Sequence, residues 1–202
     1  MADASMVTIR VASGRTVEER ASVLGNCSPV LEGFLRDGDG RGSSPVIAMD
    51  EFDLSAVKSF LTLAKIVSHD AQGLLSMTEI VQMAPVIMPL IHKYDSQGML
   101  GLVKSALNAS PDAEGLMAVV KHSEDDGIAW MDDACKKAFV QHLLSESYYH
   151  GSLGITASEK IGEVPPKALQ ELFVWAMTTA QYKLRCQMAP GQRLYSIKSY
   201  LS

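Results

Sequence analysis

The spacing of the apolar residues changes near Glu19, and this change constrains the possible folds more than any other feature of the sequence. Every second residue from Val7 to Val11 is apolar, which is the pattern of a strand with one buried face. Ser13-Gly14 is a turn signal, so a short partner strand is predicted at 15–17. From Glu19 onward the apolar residues recur mostly at helical spacing. The sequence therefore predicts a small sheet within a largely helical chain.

A helical hairpin is predicted directly after these strands. Its first helix contains Val23 and Leu24 and ends at Gly25-Asn26. Ser28-Pro29 begins the second helix, because serine caps helix N-termini and proline fits the first helical position. The second helix has an amphipathic stripe formed by Val30, Leu31, Phe34 and Leu35.

The segment Asp37–Pro45, DGDGRGSSP, has the composition of a loop. Its DGDG is similar to the start of a calcium-binding loop, but the further ligands and the closing glutamate of such a loop are missing. No calcium site is predicted there. Val46–Met49 is predicted to be a short strand.

Three helices are predicted between this strand and residue 107. Asp53 caps the first helix and Thr78 caps the second. Pro85 and Pro89 fall inside the second helix, and each removes a backbone donor. A break is therefore expected near Ala84, with Pro85 opening a new piece. The third helix is predicted over 97–107.

The turn-forming run at 108–111, NASP, is the predicted boundary between two units. The first unit, 6–108, is mixed, and the second, 111–187, is entirely helical; residues 188–202 form a C-terminal tail. Helices are predicted at 112–121, at 128–144 and from Pro165-Pro166 onward. The last helix has a long apolar stripe that is predicted to be buried against the preceding helices. It consists of Leu169, Leu172, Phe173, Ala176, Ala180 and Leu184.

Charge and composition exclude several classes of protein. The net charge is −5, with no concentrated basic face of the kind that binds phosphate backbones, so no nucleic-acid partner is expected. No apolar run reaches about 18 residues, so no membrane partner is expected either. The N-terminus lacks the pattern of a signal peptide. Three cysteines without paired spacing favour a reducing compartment, either cytoplasm or nucleus.

Motifs for catalysis or cofactor binding are missing from the sequence. The five histidines form no HExxH and no zinc-site spacing with cysteine, and no phosphate-binding glycine motif follows a strand. No catalytic, metal or cofactor site is therefore predicted. A thiol at Cys27 or Cys135 remains the one enzymatic alternative, because a cysteine near a helix N-terminus gains thiolate character.

Two segments resemble the BTB/POZ family. The segment VTIRVASGRTVEERASVLGNCSPVLEGFLRD, with its SPV motif, is similar to the start of that domain. Residues 90–107, LIHKYDSQGMLGLVKSAL, with their KYD motif, are similar to its end. The resemblance implies an α+β fold in which a BTB/POZ-like small sheet with helical hairpins precedes an all-α region. It also implies that 111–187 is a BACK-like extension.

The resemblance further implies a function. BTB domains commonly form homodimers through the helical hairpin. The resemblance therefore implies that the candidate residues of the dimer interface are Val23, Leu24, Val30 and Phe34. They often contact a cullin scaffold, and the candidate contact here is Leu35-Arg36-Asp37, with Leu35 and Asp37 as its key residues. The alternative for the four apolar residues is that they are simply core, or are covered by the helices of 111–187 in a monomer.

The sequence thus favours a non-catalytic protein–protein interaction module that self-associates and recruits an unknown partner, and that serves as an adaptor in a cullin-dependent ubiquitin ligase complex. A structural or assembly scaffold of the same fold without a ligase link is the alternative.

Overall fold

A three-stranded sheet lies at one end of the chain. A computed structural model describes residues 5–38, 45–69, 75–123, 126–144 and 159–187, without the side chains of 38, 144, 159–160 and 180–187. The strands are β1 (Met6–Val11), β2 (Thr16–Arg20) and β3 (Val46–Met49), in the order β2-β1-β3. The central strand β1 pairs antiparallel with β2 and parallel with β3.

The alternation in β1 produces the predicted half-buried strand. Val7, Ile9 and Val11 are fully buried, and the residues between them are not. Strand β2 is longer than predicted, since it continues through Glu19, and the helical region begins only at Ala21. Glu19 lies opposite Val7 in the register, and its buried carboxylate is 2.8 Å from the Lys65 ammonium.

The helical hairpin consists of α1 (Ala21–Cys27) and α2 (Pro29–Gly38). As predicted, Ser28 caps α2, because its Oγ accepts a hydrogen bond of 3.1 Å from the Leu31 backbone N–H. After β3, Asp53 caps α3 (Leu54–Val67) by accepting a bond of 2.7 Å from the Ala56 N–H.

Helix α4 (Met77–Lys93) corrects two predictions. Ser76 caps it in place of Thr78, in a reciprocal capping box with Glu79. The helix also continues through Pro85 and Pro89 without the predicted break. An interior proline costs about 3 kcal/mol, whereas each large apolar side chain that becomes buried contributes about 1.5–3 kcal/mol. The free energy gained by burying the apolar side of α4 therefore exceeds the cost of the two prolines. The buried residues of this helix are Ile80, Val81, Ala84, Ile87, Met88, Leu90 and Ile91.

Among the described residues, five further helices follow: α5 (Gln97–Ala109), α6 (Ala113–His122), α7 (Asp133–Leu144), α8 (Glu159–Gly162) and α9 (Pro166–Gln187). Helix α7 starts later than the predicted 128. The stretch before it is a turn in which the Asn108 side chain donates to the Trp130 carbonyl and accepts from the Asp132 N–H. The Asn108 side chain thus satisfies backbone groups that would bond within the helix if α7 began earlier.

One continuous apolar core runs from the sheet into the later helices. Helix α6 packs against α4. Gly115 allows α6 to lie close to Leu107 of α5, because an added Cβ there would lie 2.9 Å from Leu107 Cδ2. The prediction of a mixed α+β fold that is mostly helical is confirmed. Its BTB-like character and its division into units remain predictions. No helix within the described ranges combines the length and apolarity that crossing a bilayer requires.

Candidate functional site

Helix α2 presents an apolar pair to solvent. Its inner side chain Leu31 is fully buried, whereas Val30 is 37% exposed and Phe34 is 55% exposed. Residues four apart lie one above the other on a helix surface, so Val30 and Phe34 form one patch. An exposed phenylalanine beside an exposed valine is the kind of surface that a partner covers.

The structure divides the four predicted interface residues into two pairs. Val23 and Leu24 are 1% and 0% exposed, because α1 is enclosed by β2, α2, α3 and α5. Only Val30 and Phe34 are accessible to a partner. The sequence alone did not separate the pairs, since both sit on apolar stripes of similar composition, and only the packing of α1 distinguishes them.

Helix α2 also carries an exposed charged pair. The Arg36 guanidinium lies 2.6 Å from a Glu32 carboxylate oxygen, and both side chains are largely exposed. Such an exposed i,i+4 pair contributes only about 0.3–0.5 kcal/mol to helix stability. Each of the two residues is two positions from Phe34, so the pair lies on the other side of the helix from the apolar patch.

The candidate cullin contact is divided in a similar way. Leu35 is half-buried and packs against the core, whereas Asp37 is exposed in the last turn of α2. The two side chains therefore do not form a common exposed surface. Most of the DGDG loop, residues 39–44, lies outside the described residues.

The SPV and KYD motifs contact each other in the fold. The hydroxyl of Ser28, which is 1% exposed, donates a hydrogen bond to the backbone carbonyl of Tyr94. The Tyr94 ring packs against Phe60 with centroids 6.0 Å apart, and the neighbouring Lys93 pairs with Glu51. This connection fixes the start of α2, and with it the position of Phe34, relative to the end of α4.

Neither of the two described thiols has the surroundings of a reactive cysteine. Cys27 and Cys135 are buried, and their thiols donate to the carbonyls of Leu24 and Leu107. Burial raises the pKa of Cys27 to about 12. Burial, followed by the charge and hydrogen bond of Asp132, raises the pKa of Cys135 to about 12. Reactive cysteines require the opposite shift, so these two side chains give no support to a thiol enzyme.

A cleft of about 560 Å³ opens between the ends of α4 and α6. His92 and His122 face each other across it, with ring centroids 6.1 Å apart. Burial, then the positive charges of His92 and Lys121, lowers the pKa of His122. Within the described part of the chain, no three His, Cys, Asp or Glu side chains converge closely enough to hold a metal ion.

The predicted stripe of α9 is only partly buried. Ala168 and Leu172 are in the core and Leu169 packs beside it, but Phe173 is 67% exposed. The inclusion of Phe173 in a buried stripe was wrong. It lies next to the exposed Val174, so α9 carries a second, outward apolar side. The side chains of Ala180 and Leu184 lie outside the described set.

Comparison with known proteins gives no relative. No model of a known protein family matches the chain, and a search of curated proteins finds no significant match. The functional argument therefore depends on the surfaces of the chain itself.

Proposed function

We propose that this chain is a non-catalytic interaction module of BTB/POZ type that self-associates through the Val30–Phe34 face of α2 and recruits partners. The observation that carries this proposal is the 55% exposure of Phe34, beside the exposed Val30, on a helix that is anchored in the core by Leu31. The free cysteines Cys27 and Cys135 support a reducing compartment, either cytoplasm or nucleus.

The exposed pair gives self-association a physical driving force. Burying a phenylalanine side chain contributes about 1.5–3 kcal/mol, and a two-fold contact uses the same side chain from both copies. Aromatic residues at the centre of a contact commonly supply most of its binding energy. Phe34 is the exposed aromatic residue of α2, and the exposed Val30 lies beside it.

The arrangement of the elements supports the BTB/POZ assignment. The order β1-β2-α1-α2-β3-α3-α4-α5 agrees with the order of strands and helices that the residue pattern predicted. The hydrogen bond between Ser28 and the Tyr94 carbonyl gives both quoted motifs one structural role. Two motifs that are distant in sequence and bonded in the fold are stronger support than either motif alone.

An adaptor role in a cullin-dependent ubiquitin ligase is the finer form of the proposal, and a scaffold without that link is the alternative. The half-burial of Leu35 favours the scaffold, since this side chain would have to leave the core to contact a cullin. Binding of a purified cullin N-terminal domain, measured by calorimetry with wild type and Asp37→Lys, separates the two. A heat of binding that is seen with wild type and disappears in Asp37→Lys supports the adaptor role. The absence of any heat of binding with wild type supports the scaffold role.

Amide hydrogen exchange tests the self-association face directly. At concentrations where the protein is dimeric, amides of α2 should exchange more slowly than after strong dilution, because the partner copy covers them. The first turn of α4, around the exposed Met77, serves as an internal control and should not change. Concentration-dependent protection at α4 with none at α2 would contradict the assignment of the face.

A further inference from the structure

The last turns of α4 and α6 bring two imidazole rings together at the cleft between these helices. The ring centroids of His92 and His122 are 6.1 Å apart, and the ring planes are inclined at 44°. Each ring is carried by an anchored helix, because the nearby side chains of Ile91 and Val120 are buried in the core. Side chains on two fixed helices keep a defined spacing, which is the condition for binding one ligand between them.

The spacing of the two rings fits a single transition-metal ion. When two imidazole nitrogens bond a tetrahedral zinc ion at about 2.0–2.1 Å, their ring centroids lie roughly 5 Å apart. The observed 6.1 Å between His92 and His122 is about 1 Å longer. His92 is exposed, so a small rotation of its side chain supplies this change. Among the described residues no third His, Cys, Asp or Glu converges with the pair, so water would complete the coordination.

The charged residues that line the cleft leave one carboxylate without a cationic partner. Lys121 and Asp126 line the cleft, but each is already paired, with Glu163 and Lys104 respectively. Asp95 also lines it, and its carboxylate accepts an amide hydrogen bond of 2.7 Å but has no cation beside it in the described part of the chain. The lining thus keeps one uncompensated negative charge, which favours a cation over an anion.

Two helix C-termini add to this preference for a cation. His92 and His122 lie in the last turns of α4 and α6, where a helix carries partial negative charge. The amino end of α5 also adjoins the cleft, through Gln97, so one positive helix end faces two negative ones. Burial, then the charges of His92 and Lys121, lowers the pKa of His122, so its ring is neutral at pH 7. A neutral imidazole is the form that binds metal ions.

We propose that His92 and His122 bind one Zn²⁺ ion in the cleft between the ends of α4 and α6, with the charge of Asp95 beside it. Imidazole is a ligand that zinc prefers, and water fills the positions that the protein leaves open. The bound ion connects α4 to α6 and therefore stabilises the folded chain over the unfolded one. The site shares no residue with the Val30–Phe34 face of α2, so it does not depend on self-association.

Isothermal titration calorimetry of the full chain with zinc chloride tests the proposal, at about pH 7.5, above the ordinary pKa of histidine. Wild type should bind zinc saturably. His92→Asn and His122→Asn should each weaken binding about tenfold or more, because the loss of even an outer partner of a metal ligand commonly costs that much. His69→Asn, at an exposed turn outside the cleft, is the matched control and should bind zinc as wild type does.

Two further measurements separate the histidine pair from any other zinc ligand of the chain. With Cu²⁺ as the probe, electron paramagnetic resonance should detect two nitrogen ligands in wild type and one in His92→Asn. Saturating zinc should raise the melting temperature of wild type but not that of His92→Asn. This variant should keep the wild-type circular dichroism spectrum, because His92 is exposed.

Zinc binding that is absent in wild type, or that is unchanged in His92→Asn, would overturn the proposal. Equal losses in His92→Asn and His69→Asn would overturn it as well, because zinc would then not be bound at the cleft. Phe34→Asp should retain full zinc binding, which separates failure here from failure of the self-association proposal.

Discussion

Ser28 shows how one small polar side chain can organise this fold. Its Oγ accepts from the Leu31 N–H and its hydroxyl donates to the Tyr94 carbonyl, so both capacities are used within the core. The SP dipeptide predicted the cap from the sequence. The bond to Tyr94 was not predictable, because it joins residues 66 positions apart, and only the folded chain brings the start of α2 to the end of α4.

Replacing Ser28 by Ala should therefore cost more stability than replacing an ordinary cap. Loss of the cap costs about 1 kcal/mol, and an unsatisfied buried carbonyl adds about 1–3 kcal/mol. Ser76, the exposed cap of α4, is the matched control, and its replacement by Ala should cost the cap alone. Urea denaturation of both variants measures the difference. Equal losses would show that the Tyr94 contact contributes nothing.

His122 should make stability depend on pH. Its pKa in the folded protein lies below the ordinary value near 6.5, so the unfolded chain binds the proton first as the pH falls. The stability that His122 contributes is therefore fully present above pH 6.5 and is lost as the pH falls through its folded pKa. Asp95 and Asp126 also line the cleft, and Asp126 is paired with Lys104.

Denaturation midpoints between pH 7.5 and about pH 5 measure this effect. The His122→Gln variant should show a flatter dependence on pH than wild type, because it lacks the group that takes up the proton on unfolding. His69→Asn, at an exposed turn, is the control and should keep the wild-type slope. An unchanged slope in His122→Gln would contradict the assignment.

At the scale of elements, the sequence predicted the strands, helices and caps that depend only on residues close together in the chain. The strand β1, the caps Ser28 and Asp53 and the start of α9 follow from nearest-neighbour spacing and were predicted. Helix α4 was predicted to break because the cost of its prolines is local, whereas the burial that outweighs this cost comes from α3, α5 and α6. The exposed apolar side of α9 was not predicted, for a related reason. Spacing identifies an apolar stripe but not which part of it meets the core.

The inner and outer sides of α9 should respond differently to truncation. Leu172→Ala should cost about 2–5 kcal/mol, because it removes a buried side chain and leaves a cavity. Phe173→Ala should change stability by about 0.5 kcal/mol or less, as is usual for an exposed position. Thermal or urea unfolding of the two variants compares them. A large loss in Phe173→Ala would mean that this side chain is packed and that the surface on α9 is not free.

At the scale of the whole molecule, two exposed apolar surfaces lie on different helices. One contains Val30 and Phe34 on α2, and the other contains Phe173 and Val174 on α9. We propose self-association at the first. The exposure of both surfaces follows from the packing of the described part of the chain, which sequence spacing alone does not give.

The central claim is self-association through α2, and light scattering at micromolar protein concentration tests it most directly. Wild type should have twice the chain mass of 21.9 kDa. Phe34→Asp should have the single-chain mass with an unchanged circular dichroism spectrum, because a charge at a desolvated two-fold contact is unfavourable. Met77→Asp should remain dimeric. A wild-type protein that is monomeric at every concentration, or a Phe34→Asp variant that stays dimeric, would contradict the account.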